Sequence, residues 1–266
     1  MRTKTLTAIG ALALLSGFAL GDTVLENGGA PTFTSLPANL ATNLNSGVPY
    51  WDNHSSDFGG GTGSNTANIG YFLTATGNFT GGTNYSPNAY LAATSGNPDS
   101  AASFNLVRNT NSVLMTLLGS FTGGTEVFGI YDATKTTTAT ATASEIPLMT
   151  TFMGLGATVD ESIGAYASYG FYVTNSGNTW FSNTALDVND GTHQHFALFT
   201  TASDPNVYYI GVTDWFYGNG GEGNGDYQDL VIQLNTNAPE PATFALMGVG
   251  LLGLGYARLR RRKNRT

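Results

Sequence analysis

The chain has no cysteine, and its 266 residues include only three histidines, nine prolines and ten lysines and arginines together. Without cysteine no disulfide can brace the fold and no thiolate can serve as a nucleophile, so packing must carry the stability. Catalytic motifs are missing as well: there is no Gly-x-Ser-x-Gly elbow and no His-Glu-x-x-His zinc helix. Residues 59–68 are rich in Gly, Thr and Asn but lack the lysine of a phosphate-binding loop. No long segment keeps a 3.6-residue apolar period, which argues against a helical bundle, and no fixed-period repeat supports a β-helix. Basic charge is almost confined to the two ends, so that only Arg108 and Lys135 fall between residues 22 and 238.

The ends carry the strongest signals. Arg2 and Lys4 precede an apolar run over residues 6–20, and Ala19 and Gly21 supply small residues at the two cleavage positions. This pattern predicts a signal peptide over 1–21, export by the Sec machinery and a mature chain that starts at Asp22. At the other end Pro239-Glu240-Pro241 is followed by an apolar run, residues 242–257. A basic cluster then closes the chain: Arg258, Arg260, Arg261, Arg262, Lys263 and Arg265. As a helix the run would reach about 24 Å, near the ~30 Å of a bilayer core, and a snorkelling Arg258 would extend it. Its glycines (Gly248, Gly250, Gly253, Gly255) disfavour a soluble helix but are tolerated in lipid. The basic cluster predicts a cytoplasmic end, which leaves the Pro-Glu-Pro motif on the outer face of the membrane.

Residues 238–243, Ala-Pro-Glu-Pro-Ala-Thr, closely resemble the signature of the PEP-CTERM sorting domain of Gram-negative bacteria. The resemblance implies a transient inner-membrane anchor, processing by an exosortase, and release toward the cell surface or the exopolysaccharide matrix of a biofilm. It speaks to how the protein is handled, not to what the exported part does.

The part between the ends, residues 22–238, holds seventeen of the eighteen acidic residues against two basic ones. That excess argues against nucleic acid or an anionic membrane as partner and favours divalent cations. Gly, Thr, Asn and Ser are abundant there, and short β-rich runs recur between turn residues. Strands are expected over 69–74, 103–108, 112–119, 125–131, 170–174, 179–181, 195–199, 207–212 and 230–234. The spacing predicts an all-β fold, an antiparallel β-sandwich of jelly-roll type. Phe121-Thr-Gly-Gly-Thr125 reads as a hairpin connection. Phe171 and Val173 alternate with Tyr172 and Thr174, which suggests one buried face and one wet face. The low-complexity stretch 134–144 reads as an exposed loop or an edge strand.

The most suggestive internal segment runs from Asp214 to Asp229 and sets Asp214, Glu222, Asp226 and Asp229 around a glycine-rich loop. Calcium takes six to eight oxygens, and such a loop can turn backbone carbonyls inward while carboxylates close the shell. The alternative is a solvated acidic turn. The blocks 195–199, 209–211 and 226–230 resemble the terminal part of many exosortase-sorted proteins, similar to DUF4114-type domains. That group carries Asp-Tyr-Asn-Asp where this chain has Gln228, and often an acid where it has Thr213, so two oxygen ligands are lost or moved. His193 and His195 would share a strand face and could chelate a transition metal, but no third ligand is evident and His54 is remote. Trp180, Phe181, Trp215 and Phe216 could form a sugar-stacking platform, with Trp180 and Trp215 as candidate glycan contacts, although such aromatics more often fill a core. Asp160 and Glu161 are adjacent and would point apart on a strand, so they do not make a glycosidase pair. The sequence thus predicts a non-catalytic, exosortase-sorted surface protein with calcium as its candidate cofactor. An exopolysaccharide-binding module and a glycan-cleaving enzyme are the alternatives.

Overall fold

The computed structural model describes residues 21–35, 90–93 and 103–236, apart from 111, 121–123, 188–189, 191–192, 202–203, 215, 217–226 and 228. All of the predicted signal peptide but Gly21, the expected strand at 69–74 and the sorting tail lie outside the described residues. Among the described residues no helix is long and apolar enough to cross a membrane.

The domain is an all-β sandwich, as its patterning predicts. One sheet is ordered β1 (Thr23–Glu26), β4 (Phe104–Val107), β9 (Ser168–Asn175), β6 (Glu126–Asp132) and β7 (Ile146–Thr150), with β10 (Asn178–Phe181) also paired to β9. The other runs β2 (Phe33–Ser35), β3 (Tyr90–Ala93), β11 (Phe196–Thr201), β12 (Asp204–Val212), β13 (Leu230–Asn235), β5 (Ser112–Ser120) and β8 (Thr158–Ser162). Every ladder among the described residues is antiparallel.

Alternation builds the core. Phe171 and Val173 on β9, Phe128 and Ile130 on β6, Ile210 and Val212 on β12, and Leu230, Ile232 and Leu234 on β13 meet between the sheets. Phe128 stacks on Phe171 at 5.9 Å, and Phe196 of the facing sheet lies 6.4 Å from Phe171. Such pairs add about 0.5–1.5 kcal/mol beyond the area they bury. The β9–β10 hairpin turns at Ser176 and Gly177, whose φ values of 51° and 83° are both positive. Two such residues make the type I′ turn whose twist matches the flanking strands.

Three expectations are corrected. The segment 121–125 is not a hairpin, because β5 pairs with β13 and β8 whereas β6 pairs with β9 and β7 in the opposite sheet. The connection carries the chain from one sheet to the other. Tyr172 is not on a wet face, since it is buried with Tyr131, Phe181, Leu186 and Ala141 in a second cluster outside the first sheet. The low-complexity stretch supplies part of that cover as a short helix, α1 (Thr138–Thr142), with Thr137 capping it at the Thr140 amide. Ala141 is its buried residue, and the Thr138 hydroxyl donates to the Leu186 carbonyl at 2.8 Å to seat the helix.

The edge strand β8 carries Asp160 and Glu161, both exposed and opposite Leu114 and Val113, so they point to opposite faces as expected. Charges on an edge discourage pairing with another chain. Pro147 serves the same end on β7, where it faces Gly129 beside a register shift.

Candidate functional site

Strand direction gives the sandwich two poles. β13 leaves Asp229 and ends at Asn235 beside Thr236, a span of roughly 20 Å at about 3.3 Å per residue. β9 runs the opposite way, from Ser168 to Asn175. The base of the acidic loop lies at the Asp229–Asn175 pole, and the last residues before the sorting tail lie at the other.

At the loop pole the strands β12 and β13 pinch the segment closed. The Asp229 amide donates to the Val212 carbonyl at 3.0 Å, and the Asp214 amide donates to Asp229 Oδ2 at 2.9 Å. Asn175 Nδ2 donates to Asp214 Oδ2 at 3.0 Å, which ties the loop base to the opposite sheet. Asp214 and Asp229 are thus brought together and buried, and both carboxylates accept from protein donors. Glu126, also buried, stands opposite Asn175 in the β6–β9 ladder. Tyr227, at φ 54°, turns its hydroxyl onto the Gln194 carbonyl at 2.9 Å. Glu222, Asp226 and Trp215 lie outside the described residues. Among the described residues no group of three or more His, Asp or Glu side chains converges as metal ligands. Carboxylate oxygens are the donors that hard cations take, and the loop base brings two such groups together.

The histidine pair separates. His195 is 1% exposed, and its ring is engaged at both nitrogens: Nδ1 lies 3.1 Å from the Thr213 carbonyl and Nε2 lies 2.8 Å from Asp190 Oδ2. A carbonyl only accepts, so Nδ1 donates to it, which leaves Nε2 to Asp190. A ring so bound has no lone pair left for a metal, and the pair positions the loop before β11. Asp190 was not singled out by sequence. The only signal was an acid five residues ahead of a histidine, which is too loose a spacing to read.

Trp180 is corrected as a glycan contact. It is 3% exposed, stacks on His195 with ring centres 5.0 Å apart, and meets Phe216 edge-on at 5.4 Å. Phe181 is fully buried, and Phe216 packs half-buried against the core. The described aromatics of the suggested platform therefore face the interior.

Next to this region Asp187 presents an unusual carboxyl. Oδ1 accepts from the Phe181 amide at 2.7 Å, while Oδ2 is buried without a hydrogen-bond partner, as is the Tyr131 hydroxyl. Burial pushes the Asp187 carboxyl well above the usual range, against the Phe181 N–H and with help from the Asp190 charge. A raised carboxyl in the folded state favours folding in acid, and this contribution declines as pH rises above about 4, toward the folded value. Asn keeps the acceptor for Phe181 without that titration. Asp187→Asn should therefore gain on the wild type as pH rises from 4 to 7, by at most about 1.4 kcal/mol per unit. Urea melts at pH 4, 5, 6 and 7 check it, and parallel curves for the two proteins would refute it.

Both cations of the domain are engaged by groups of the domain itself. Arg108 donates to the carbonyls of Thr110, Gly164 and Tyr166 at 2.7, 2.6 and 3.3 Å, and Lys135 pairs with Asp132 at 3.1 Å. The acidic excess read from the sequence is left largely uncompensated.

No curated protein and no solved structure matches the chain. The PEP-CTERM protein-sorting motif matches residues 237–262, a span that begins at the residue after Thr236. It contains Pro239-Glu240-Pro241, the apolar run and the first four residues of the basic cluster. The chain thus joins an all-β domain to a PEP-CTERM protein-sorting motif, and that motif implies export, processing by an exosortase and sorting to the cell surface.

Proposed function

We propose that this is a non-catalytic structural or adhesive protein of the cell surface or exopolysaccharide matrix, with an acidic pole stabilised by calcium. The observation that carries the reading is placement: Asp214 and Asp229 sit together at the pole opposite Thr236, where the sorting motif begins. While the tail is anchored, the loop pole is the one turned outward. Its acidity, with Arg108 and Lys135 both held in internal contacts, suits bridging by divalent cations to other acidic polymers. The engaged ring of His195 and the buried ring of Trp180 give no support to the hydrolase or sugar-platform alternatives.

The test is thermal melting of the ectodomain in EGTA and then in millimolar calcium, paired with co-sedimentation on extracted matrix polysaccharide. Calcium at 100 times its dissociation constant contributes about 2.7 kcal/mol, a rise of roughly 5–10 °C for a domain this size. Co-sedimentation that calcium promotes and EGTA reverses is expected. No calcium-dependent rise would leave the loop as an acidic turn, and no co-sedimentation in either buffer would remove the matrix role.

A further inference from the structure

The pole at which the tail begins is closed by the other end of the domain. Asp22 is 6% exposed, and its carboxylate is filled by four donors. Oδ1 accepts from the amides of Asn109 and Thr110, both at 2.7 Å, and from the Thr110 hydroxyl at 3.0 Å. Oδ2 accepts from the Tyr169 hydroxyl at 2.7 Å. The Asp22 amide reaches the Thr236 carbonyl at 3.3 Å, so the expected first residue of the mature chain is bonded to the residue next to the sorting motif. Gly21 is part of the same closure. Its carbonyl accepts from Asn109 Nδ2 at 2.8 Å, and a Cβ at this position would collide with the Thr236 backbone.

We propose that this clasp shields the Gly21–Asp22 peptide bond, so that signal-peptide cleavage must precede closure of the folded domain. The inference rests on the signal-peptide reading of residues 1–21. A protease needs the scissile carbonyl free to enter its oxyanion hole and the flanking backbone free to extend against the enzyme. Here both sides of that bond are engaged: the Gly21 carbonyl with Asn109, and the Asp22 N–H with Thr236. A chain that closes early keeps its signal segment and remains held at both ends of the one pole. A chain cut first keeps the clasp, because the freed Asp22 ammonium can still donate to Thr236 while the carboxylate socket is unchanged. The precursor thus partitions between cleavage and folding, and the socket at Asn109, Thr110 and Tyr169 sets the rate at which the second route closes.

The experiment uses the full-length uncleaved chain, purified folded in detergent, and purified signal peptidase, with intact mass as the readout. The folded wild type should be cut at least tenfold more slowly than the same chain in urea at a concentration the enzyme tolerates. Asn109→Ala and Tyr169→Phe loosen the clasp without touching the residues the peptidase reads. Either should raise cleavage of the folded chain toward the unfolded rate, with a new N-terminus at Asp22. Circular dichroism on each variant confirms that it is folded before the comparison. Equal cleavage of folded and unfolded wild type would overturn the shielding. An unfolded chain left uncut, or cut elsewhere, would instead overturn the signal-peptide reading on which it rests.

Discussion

A chain in which Pro239, Glu240 and Pro241 are all alanine should stay in the membrane fraction with its tail intact, and release should fall to background. The reason is electrostatic as much as proteolytic. Six basic residues lie beyond the apolar run at residues 242–257. Drawing a Lys or Arg through the centre of a bilayer costs about 2.5–3.5 kcal/mol on the most lenient scale, so six together make spontaneous extraction negligible. On the proposed topology, with the basic cluster inside, release requires cutting a peptide bond on the outer side, and the sorting motif matched at 237–262 is where recognition of that cut is expected. Fractionation with intact-mass analysis reads the result. A variant that appears outside the cell at the wild-type mature mass would show that the Pro-Glu-Pro motif is not what the processing enzyme reads.

Gly129→Ala should be the most damaging single-methyl change in the sandwich. On the β6–β9 ladder each glycine faces a tyrosine: Gly129 is opposite Tyr172, and Gly170 is opposite Tyr131. The two rings lie across the glycines, so a Cβ on Gly170 would stand 2.6 Å from Tyr131 Cε1. A Cβ on Gly129 would meet Tyr172 at 2.6 Å and would also collide with the Ile146 carbonyl, a backbone atom of the next strand. A ring can shift by a few tenths of an ångström, whereas a ladder carbonyl moves only with its strand. Overpacking of this kind costs about 3 kcal/mol, a fall in melting temperature of roughly 6–12 °C. Gly170→Ala should cost less, and pairing it with Tyr131→Leu should recover part of the loss as a double-mutant coupling. Additive effects in that cycle would mean that the ring and the glycine do not share the space the structure assigns to them.

The strands were legible because alternation is local. Phe171 with Val173, and Ile210 with Val212, announce their buried face from their own spacing, and β4, β5, β6, β9, β10, β11, β12 and β13 fall where patterning puts them, whereas β1, β2, β3, β7 and β8 were not expected. The loop base was partly legible, since Asp214 and Asp229 bracket a glycine-rich stretch between two readable strands and do come together. Asp190 and Asp187 were not legible, because a lone acid in a loop looks the same whether it meets water, His195 or the Phe181 amide. Trp180 illustrates the same limit from the apolar side. An aromatic beside a turn can fill a core or hold a sugar, and only the position of His195 and Phe216 against it decides.

By itself the sequence determined how the protein is handled and what it is made of. The charged and apolar segments at its ends, the missing cysteines and the acidic excess act through composition and contiguous runs, which need no fold to be read. Tertiary structure decided what depends on residues far apart in the chain. It sent β5 and β6 to opposite sheets although they are near neighbours in the chain, and covered Tyr172 with a helix from a threonine-rich stretch. It also closed Asp22 on Thr236 through Asn109, Thr110 and Tyr169. A turn residue specifies that the chain reverses, and a period of two specifies which side chains share a face. Neither specifies what will pack against that face, because that is set by partners brought together only when the sheets close.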